Sequence, residues 1–250
     1  MAGFPMRIAH ISDLHLRHHL QGTSAVPTRL SRQMVELYPR ALDRIVSAAP
    51  DLIVVSGDLV DHPFEEMDRA DHLAAGEQDL RWHAQILTGL GMPVVVLPGN
   101  HDHLPLYHQV FDQETDLDVK GTRILSFADV EGDDNVPRRT NGERARFEAC
   151  LVDDDPRPQI HLQHYLVYPR RDEGYPHTYE DGEQMRQAMT ESGRVRLCLS
   201  GHYHLGHEPE CVDGIWFAVA PAFCEAPHAW RVYDLEPAGG GLTWHQEQLS

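Results

Sequence analysis

The chain has 250 residues, with 21 Lys plus Arg against 39 Asp plus Glu and a formal net charge of −18. That acid excess argues against nucleic acid and anionic membrane faces as partners, because both are held by Lys and Arg that neutralise phosphates. Hydrophobic content of 41% and charged content of 24% exclude disorder. The length predicts one domain over residues 1–250, able to bury a core without staples. The unusual count is 18 His, the side chain most often used to bind metals. The four cysteines (Cys150, Cys198, Cys211, Cys224) are scattered and form no CxxC pair. The opening MAGFPMRIAHISD enters a strand with no basic stretch followed by an apolar one. No apolar run approaches the ~20 residues that span a bilayer. The expectation is a soluble protein of a reducing cytoplasm.

Short apolar runs recur along the chain, and each ends in polar residues of metal-binding type. Residues 7–12 (RIAHIS) lead into Asp13-Leu14-His15. In 33–49, Met34, Leu37, Ala41, Leu42, Ile45 and Val46 fall near a 3.6-residue period, a helix that Pro39 should kink or split. Residues 51–56 (DLIVVS) lead into Gly57-Asp58, and 66–90 reads as a second helix. Residues 93–98 (PVVVLP) lead into Gly99-Asn100-His101-Asp102. Shorter helices are predicted at 143–151 and 183–191. Between them, 159–163 (QIHLQ) lead into His164-Tyr165. Residues 195–200 (VRLCLS) lead into Gly201-His202-Tyr203-His204. Runs rich in Val, Ile and Leu and closed by Gly or Pro read as buried strands. Their alternation with helices predicts an α/β sheet with right-handed crossovers. The strand-like runs 215–220, 230–235 and 242–247 have turns but no helix between them, and are expected to form an antiparallel second sheet or an added layer. Gly239-Gly240-Gly241 is read as the turn of a terminal hairpin. Two segments, 17–32 and 165–181, lack periodicity, and loops of that size are often functional. Residues 129–141, acidic and then basic, read as a lid or as solvated surface.

In α/β sheets ligands gather beyond the carboxyl ends of the strands. Here five strand ends present DLH, GD, GNHD, H and GHYH. Imidazole, carboxylate and amide oxygen together suit borderline divalent metals. Taken singly, each piece is ordinary turn chemistry, since GD and GN dipeptides serve as turns. Five pieces in order, each after a strand, are not ordinary.

The series Asp13-x-His15, Gly57-Asp58, Gly99-Asn100-His101-Asp102, His164 and Gly201-His202-x-His204 resembles the calcineurin-like metallophosphoesterase superfamily, over residues 8 to about 220. The resemblance implies a four-layer αββα sandwich of two mixed β-sheets flanked by helices, with two metal ions at one end of the sheets. It implies Asp13, His15, Asp58 and His204 at the first metal. Asp58 would bridge, with Asn100, His164 and His202 completing the second. It implies His101 beside the substrate, stabilising developing charge or protonating the leaving oxygen, tasks an imidazolium would suit. Asp61, three residues after the bridging aspartate, is the implied partner of His101, with Asp102 as rival and an N-cap as the alternative role for Asp61. The implied reaction is attack of a metal-bridging hydroxide on the phosphorus of a small phosphate ester. A diester such as a cyclic nucleotide comes first, and a monoester second. Two divalent ions lower the pKa of a shared water and clamp the attacking and leaving oxygens. Mn, Fe or Zn suits the ligand set best, and Mg, Ni or Co is compatible with it.

His161 competes with His164, but it lies inside the strand run, whereas His164 sits at its exit. His10 reads as a strand residue. His18, His19, His62, His103 and His207 flank the motifs, with His62 and His103 within possible reach of substrate. His72, His83, His108, His177, His228 and His245 read as surface or packing. Arg138-Arg139 and Arg170-Arg171 offer guanidinium for a phosphate, against the simpler role of balancing nearby acids. Tyr165, Tyr168, Tyr175 and Tyr179 offer stacking, against loop anchoring. Competing functions are a DNA-repair-type nuclease, which shares the motifs but not the charge, and a protein phosphatase. Gly57-Asp58-Leu59-Val60-Asp61 lacks the arginine-glycine of that branch, and GNHD has Asp where it has Glu. A non-catalytic scaffold would have lost ligands, and none is lost here.

Overall fold

The computed structural model describes residues 5–236 and 238–249. In chain order it contains β1 (Met6–Ile11), α1 (Met34–Ser47), β2 (Leu52–Ser56), α2 (Ala70–Thr88), β3 (Val94–Leu97), α3 (Leu104–Val110), β4 (Asp116–Val119) and β5 (Thr122–Ser126). A short hairpin, β6 (Val130–Glu131) and β7 (Pro137–Arg138), precedes α4 (Asn141–Val152), β8 (Gln159–Leu162), α5 (Gly182–Ser192) and β9 (Val195–Ser200). The chain then runs through β10 (His207–Val212), β11 (Ile215–Val219), β12 (Ala229–Glu236) and β13 (Gly241–Gln248).

Two mixed sheets face one another. The first has the order β13-β12-β1-β2-β3 and the second β10-β11-β9-β8-β5-β4. In the first, β1, β2 and β3 run parallel and β12 joins β1 antiparallel. In the second, β5, β8, β9 and β11 are parallel, with antiparallel strands at both edges. Ile8, Leu52, Val54 and Val95 meet Ile124, Ile160, Leu197 and Leu199 in the apolar layer between the sheets. On the outer face of the first sheet, Ile53 and Val55 pack with Tyr38, Leu42 and Ile45 of α1 and Leu80 of α2. Cys198 and Leu125 do the same with Phe147 of α4 and Met185 and Met189 of α5. The layers are therefore helix, sheet, sheet, helix. β2, LIVVS, is buried at every residue, as a strand covered on both faces must be.

Three expectations need correction. Helix α1 runs through Pro39 as one element. The lost N–H lies only one turn from the helix start, and the buried Met34, Tyr38, Ala41, Leu42 and Ile45 stripe holds the helix to the sheet. The late strands form no sheet of their own: β11 enters the second sheet beside β9, while β12 and β13 extend the first beside β1. The strands β4, β5 and β10 and the helix α3 were not anticipated. Both β4 and β10 are solvated edge strands with little apolar signal. Among the described residues no helix is long and apolar enough to cross a membrane.

Candidate metal centre

The strands β1, β2 and β3 of one sheet and β8 and β9 of the other end at the same edge of the sandwich, and their exits carry the motif residues. The chain turns there through left-handed backbone at Asp13 (φ 54°), His15 (φ 43°), Asp58 (φ 51°) and His202 (φ 64°). A non-glycine residue in that region costs on the order of 1 kcal/mol, so four at one edge mark a functional turn. The neighbouring glycines are needed for room. A Cβ on Gly57 would overlap the His164 imidazole, and one on Gly99 would overlap the Asp58 carboxylate.

Four groups of donor atoms result among the described residues, and two of them share Asp58. Asp13, His15, Asp58 and His204 converge in one, and Asp58, His164 and His202 in the other. His15 Nε2 lies 3.2 Å from Asp58 Oδ2 and 3.3 Å from His204 Nε2, and His204 Nε2 lies 3.5 Å from Asp13 Oδ1. In the second group His164 Nε2 is 3.5 Å from Asp58 Oδ1 and 3.3 Å from Asn100 Oδ1. These separations match neighbouring ligands around one ion at about 2.0–2.2 Å from each. Asp13 Oδ1 is buried and lacks a hydrogen-bond partner among the described residues, a lone pair aimed at a cation. Burial disfavours the charged form of His15, yet Asp58 and Asp61 outweigh it and raise its pKa to about 9. Burial likewise opposes ionisation of Asp58, but His164 and His15 hold its carboxyl well below the ordinary value. A pocket that draws a proton onto an imidazole at neutral pH is one that a metal cation fits.

Outer contacts orient the rings. His164 Nδ1–H donates to the Ser56 carbonyl at 2.7 Å, His204 Nδ1 meets Glu225 Oε1 at 2.8 Å, and His15 Nδ1 lies 3.3 Å from Asp61 Oδ1. Such partners fix which ring nitrogen faces a metal.

The sequence model of the calcineurin-like phosphoesterases matches residues 6–206. The chain belongs to that family. It is accordingly a hydrolase of phosphate esters, of a family that uses divalent metals. It is 26% identical over 212 residues to a Pseudoalteromonas protein named probable cyclic nucleotide phosphodiesterase, covering 82% of this chain and 74% of that one. It is 25% identical over 263 residues to a Synechococcus protein of the same name, covering 97% and 91%. The crystal structure of a dimetal phosphatase from Danio rerio superposes with a TM-score of 0.71 at 14% identity, covering 93% of each chain.

His101 of this calcineurin-like phosphoesterase stands beside Asp58, its backbone N–H donating to Asp58 Oδ1 at 2.9 Å. Its Nδ1–H faces the His62 carbonyl at 3.2 Å, with Asp61 Oδ1 at 3.5 Å, and its Nε2 accepts from Arg29 at 3.1 Å. Burial drives its pKa down to about 3, which favours the neutral ring over the imidazolium the resemblance implied, and the Arg29 guanidinium brings a positive charge to the same nitrogen. Asp61 makes closer contacts with Arg17 (2.7 Å) and His15 than with His101. The rival Asp102 is spent on the backbone N–H groups of Leu59, Val60 and Gly99.

A cleft of about 350 Å³ opens on both donor groups, lined also by Arg29, Phe64, Tyr175, His177 and Tyr203. Arg29 and Phe64 were missed in the sequence, and His177 was read as surface or packing. Arg29 and His177 do fall in the two long aperiodic segments. Three of the four paired arginines balance acids, Arg138 meeting Asp134 and Glu180, Arg139 buried on Asp129 and Arg170 meeting Asp172, while Arg171 lies over the ring of Tyr203. His161 is buried in β8 against Gln159, His10 bonds Ser56, and His103 caps α3. Of the tyrosines, Tyr165 packs edge-on against His164 and His202, and Tyr175 reaches the cleft.

Proposed function

We propose that the chain is a dinuclear metal-dependent phosphodiesterase whose substrates are small diesters, cyclic nucleotides among them. The observation that carries this reading is the disposition of Asp58: one carboxylate oxygen faces His15 and the other faces His164, so one side chain serves both donor groups. Asp13, His15 and His204 would hold one ion with it, and Asn100, His164 and His202 the other. Two divalent ions bound there would supply Lewis-acid polarisation of a phosphoryl oxygen and a water acidic enough to attack phosphorus near neutral pH.

The chain's own residues position the ester. Arg29 brings a guanidinium to the cleft, where its forked N–H donors suit phosphoryl oxygens. One guanidinium matches the single negative charge of a diester. His101, with Nδ1–H on the His62 carbonyl and Nε2 accepting from Arg29, holds that guanidinium beside the ester. Phe64, Tyr175 and Tyr203 offer ring faces and edges to a nucleobase or aryl group. The names of the two sequence relatives support the cyclic-nucleotide choice, and the acidic composition supports a small ester over nucleic acid.

Matched aryl phosphodiester and phosphomonoester substrates, assayed before chelation, after it and after restoring Mn²⁺, test the reading. The expected result is chelator-sensitive, metal-restored hydrolysis of the diester in excess of the monoester, with opening of a cyclic nucleotide. Activity confined to the monoester would overturn the diester assignment.

A further inference from the structure

Four imidazoles face the two donor groups: the outward nitrogen of His164 bonds the Ser56 carbonyl and that of His204 bonds Glu225, while His15 Nδ1 makes no hydrogen bond among the described residues but lies 3.3 Å from Asp61 Oδ1. The fourth, His202, has Nε2 buried and without a hydrogen-bond partner among the described residues. Glu131 Oε1 lies 3.6 Å away and is buried and unpartnered in the same way. Glu131 comes from elsewhere in the chain, on β6, and its side chain is only 10% exposed. Its second oxygen accepts from the Tyr175 hydroxyl at 2.9 Å, which leaves Oε1 directed at the ring. Two complementary groups, each an orphan, therefore face one another at just beyond hydrogen-bond distance.

We propose that Glu131 is the outer carboxylate of His202. On this view it accepts the Nε2–H and so presents Nδ1 to the second metal, completing the pattern that His164 and His204 already show. The inference rests on the dinuclear reading and deepens it. Glu131 is a positioning residue, acting through His202. An outer carboxylate fixes the tautomer and raises ligand basicity, and losing one weakens metal binding about 10- to 100-fold. The β6–β7 hairpin and the segment carrying Tyr175 thereby become part of the second site's support. The acidic-then-basic run 129–141 is thus neither plain solvated surface nor merely a lid.

The test is Mn²⁺ titration of metal-free wild type, Glu131→Ala, Glu131→Gln and Glu225→Ala, followed by calorimetry, with metal content measured after desalting. Wild type should bind two ions. Glu131→Ala should keep one tight ion and bind the other about 10- to 100-fold more weakly. Glu131→Gln should recover most of that loss, because its amide oxygen still accepts the Nε2–H. Glu225→Ala should weaken one ion alone, and the Glu131→Ala/Glu225→Ala double variant should weaken both. Wild-type affinity for two ions in Glu131→Ala would overturn the proposal. So would a loss in Glu131→Gln as large as in Glu131→Ala, which would make the carboxylate itself a metal ligand. A lowered melting temperature of metal-free Glu131→Ala with both ions equally weakened would overturn it too, as the mark of general damage. Wild type binding fewer than two ions would instead bring down the dinuclear reading, whatever the variants did.

Discussion

Arg29 and His101 divide a task that the sequence assigned to one residue. The Arg29 guanidinium sits 3.1 Å from His101 Nε2, so the cleft holds a fixed positive charge beside a neutral imidazole. Arg29→Ala should therefore lower kcat/KM for a diester by about 10- to 100-fold, the worth of a charge-assisted hydrogen bond. His101→Ala should lower kcat by about 10- to 100-fold, because Arg29 loses the acceptor that holds it over the ester. Steady-state kinetics with metal analysis checks both variants, which should retain their metals, since neither side chain belongs to the two donor groups that share Asp58. The motif residues were legible because strand exits with left-handed turns call for particular neighbours: Gly57 and Gly99 have no room for a Cβ beside His164 and Asp58. Arg29, Glu131 and Glu225 carry no such mark. Each reaches the site from an irregular or short segment whose approach depends on tertiary packing alone.

Helix α2 shows how an element distant in sequence steadies the site. Asp79, fully buried on its inner face, accepts the backbone N–H groups of His18, His19 and Leu20 and so anchors the start of the segment that carries Arg29. One turn on, His83 donates Nε2–H to the Leu59 carbonyl, next to Asp58. Burial lowers the His83 pKa from 6.5 to about 4. A histidine depressed in this way leaves stability intact above its unfolded value and erodes it as pH falls below that value, because the unfolded chain then binds the extra proton. In urea unfolding of the metal-free protein, the stability difference between wild type and His83→Gln should shift against wild type by about 2 kcal/mol from about pH 7 to about pH 5. A pH-independent difference would contradict the assignment. At this scale the parallel strands were readable as continuous apolar runs. The edge strands β4 and β10 were not, because DLDV and HEPECV are mostly solvated. The placement of β12 next to β1 was also invisible, since the register Ile8 to Tyr233 joins residues far apart in the chain.

The two sheets are held together by an apolar layer along their length and by the donor groups at one edge. Asp13, His15, Asp58 and Asn100 come from the exits of the first sheet, and His164, His202 and His204 from those of the second. Metal ions there would tie the sheets where the apolar layer ends. Each ion supplied at about 100 times its Kd adds about 2.7 kcal/mol. Chelation should therefore lower the melting temperature by about 10 to 20 °C for a chain of this size, reversibly on adding metal. The alternation of apolar runs and helices made an α/β sheet legible, because buried parallel strands need helices on their outer faces, whereas the doubled αββα layering followed only from the family resemblance of the motifs. What links one edge of the sandwich to a reaction is Asp58, placed between both donor groups. The measurement that tests this most directly is the metal content of wild type and Asp58→Asn after purification and desalting, with diester hydrolysis measured on the same samples. The account predicts two ions per wild-type chain, and loss of both full occupancy and hydrolysis in Asp58→Asn. Two ions and undiminished hydrolysis in that variant would contradict it.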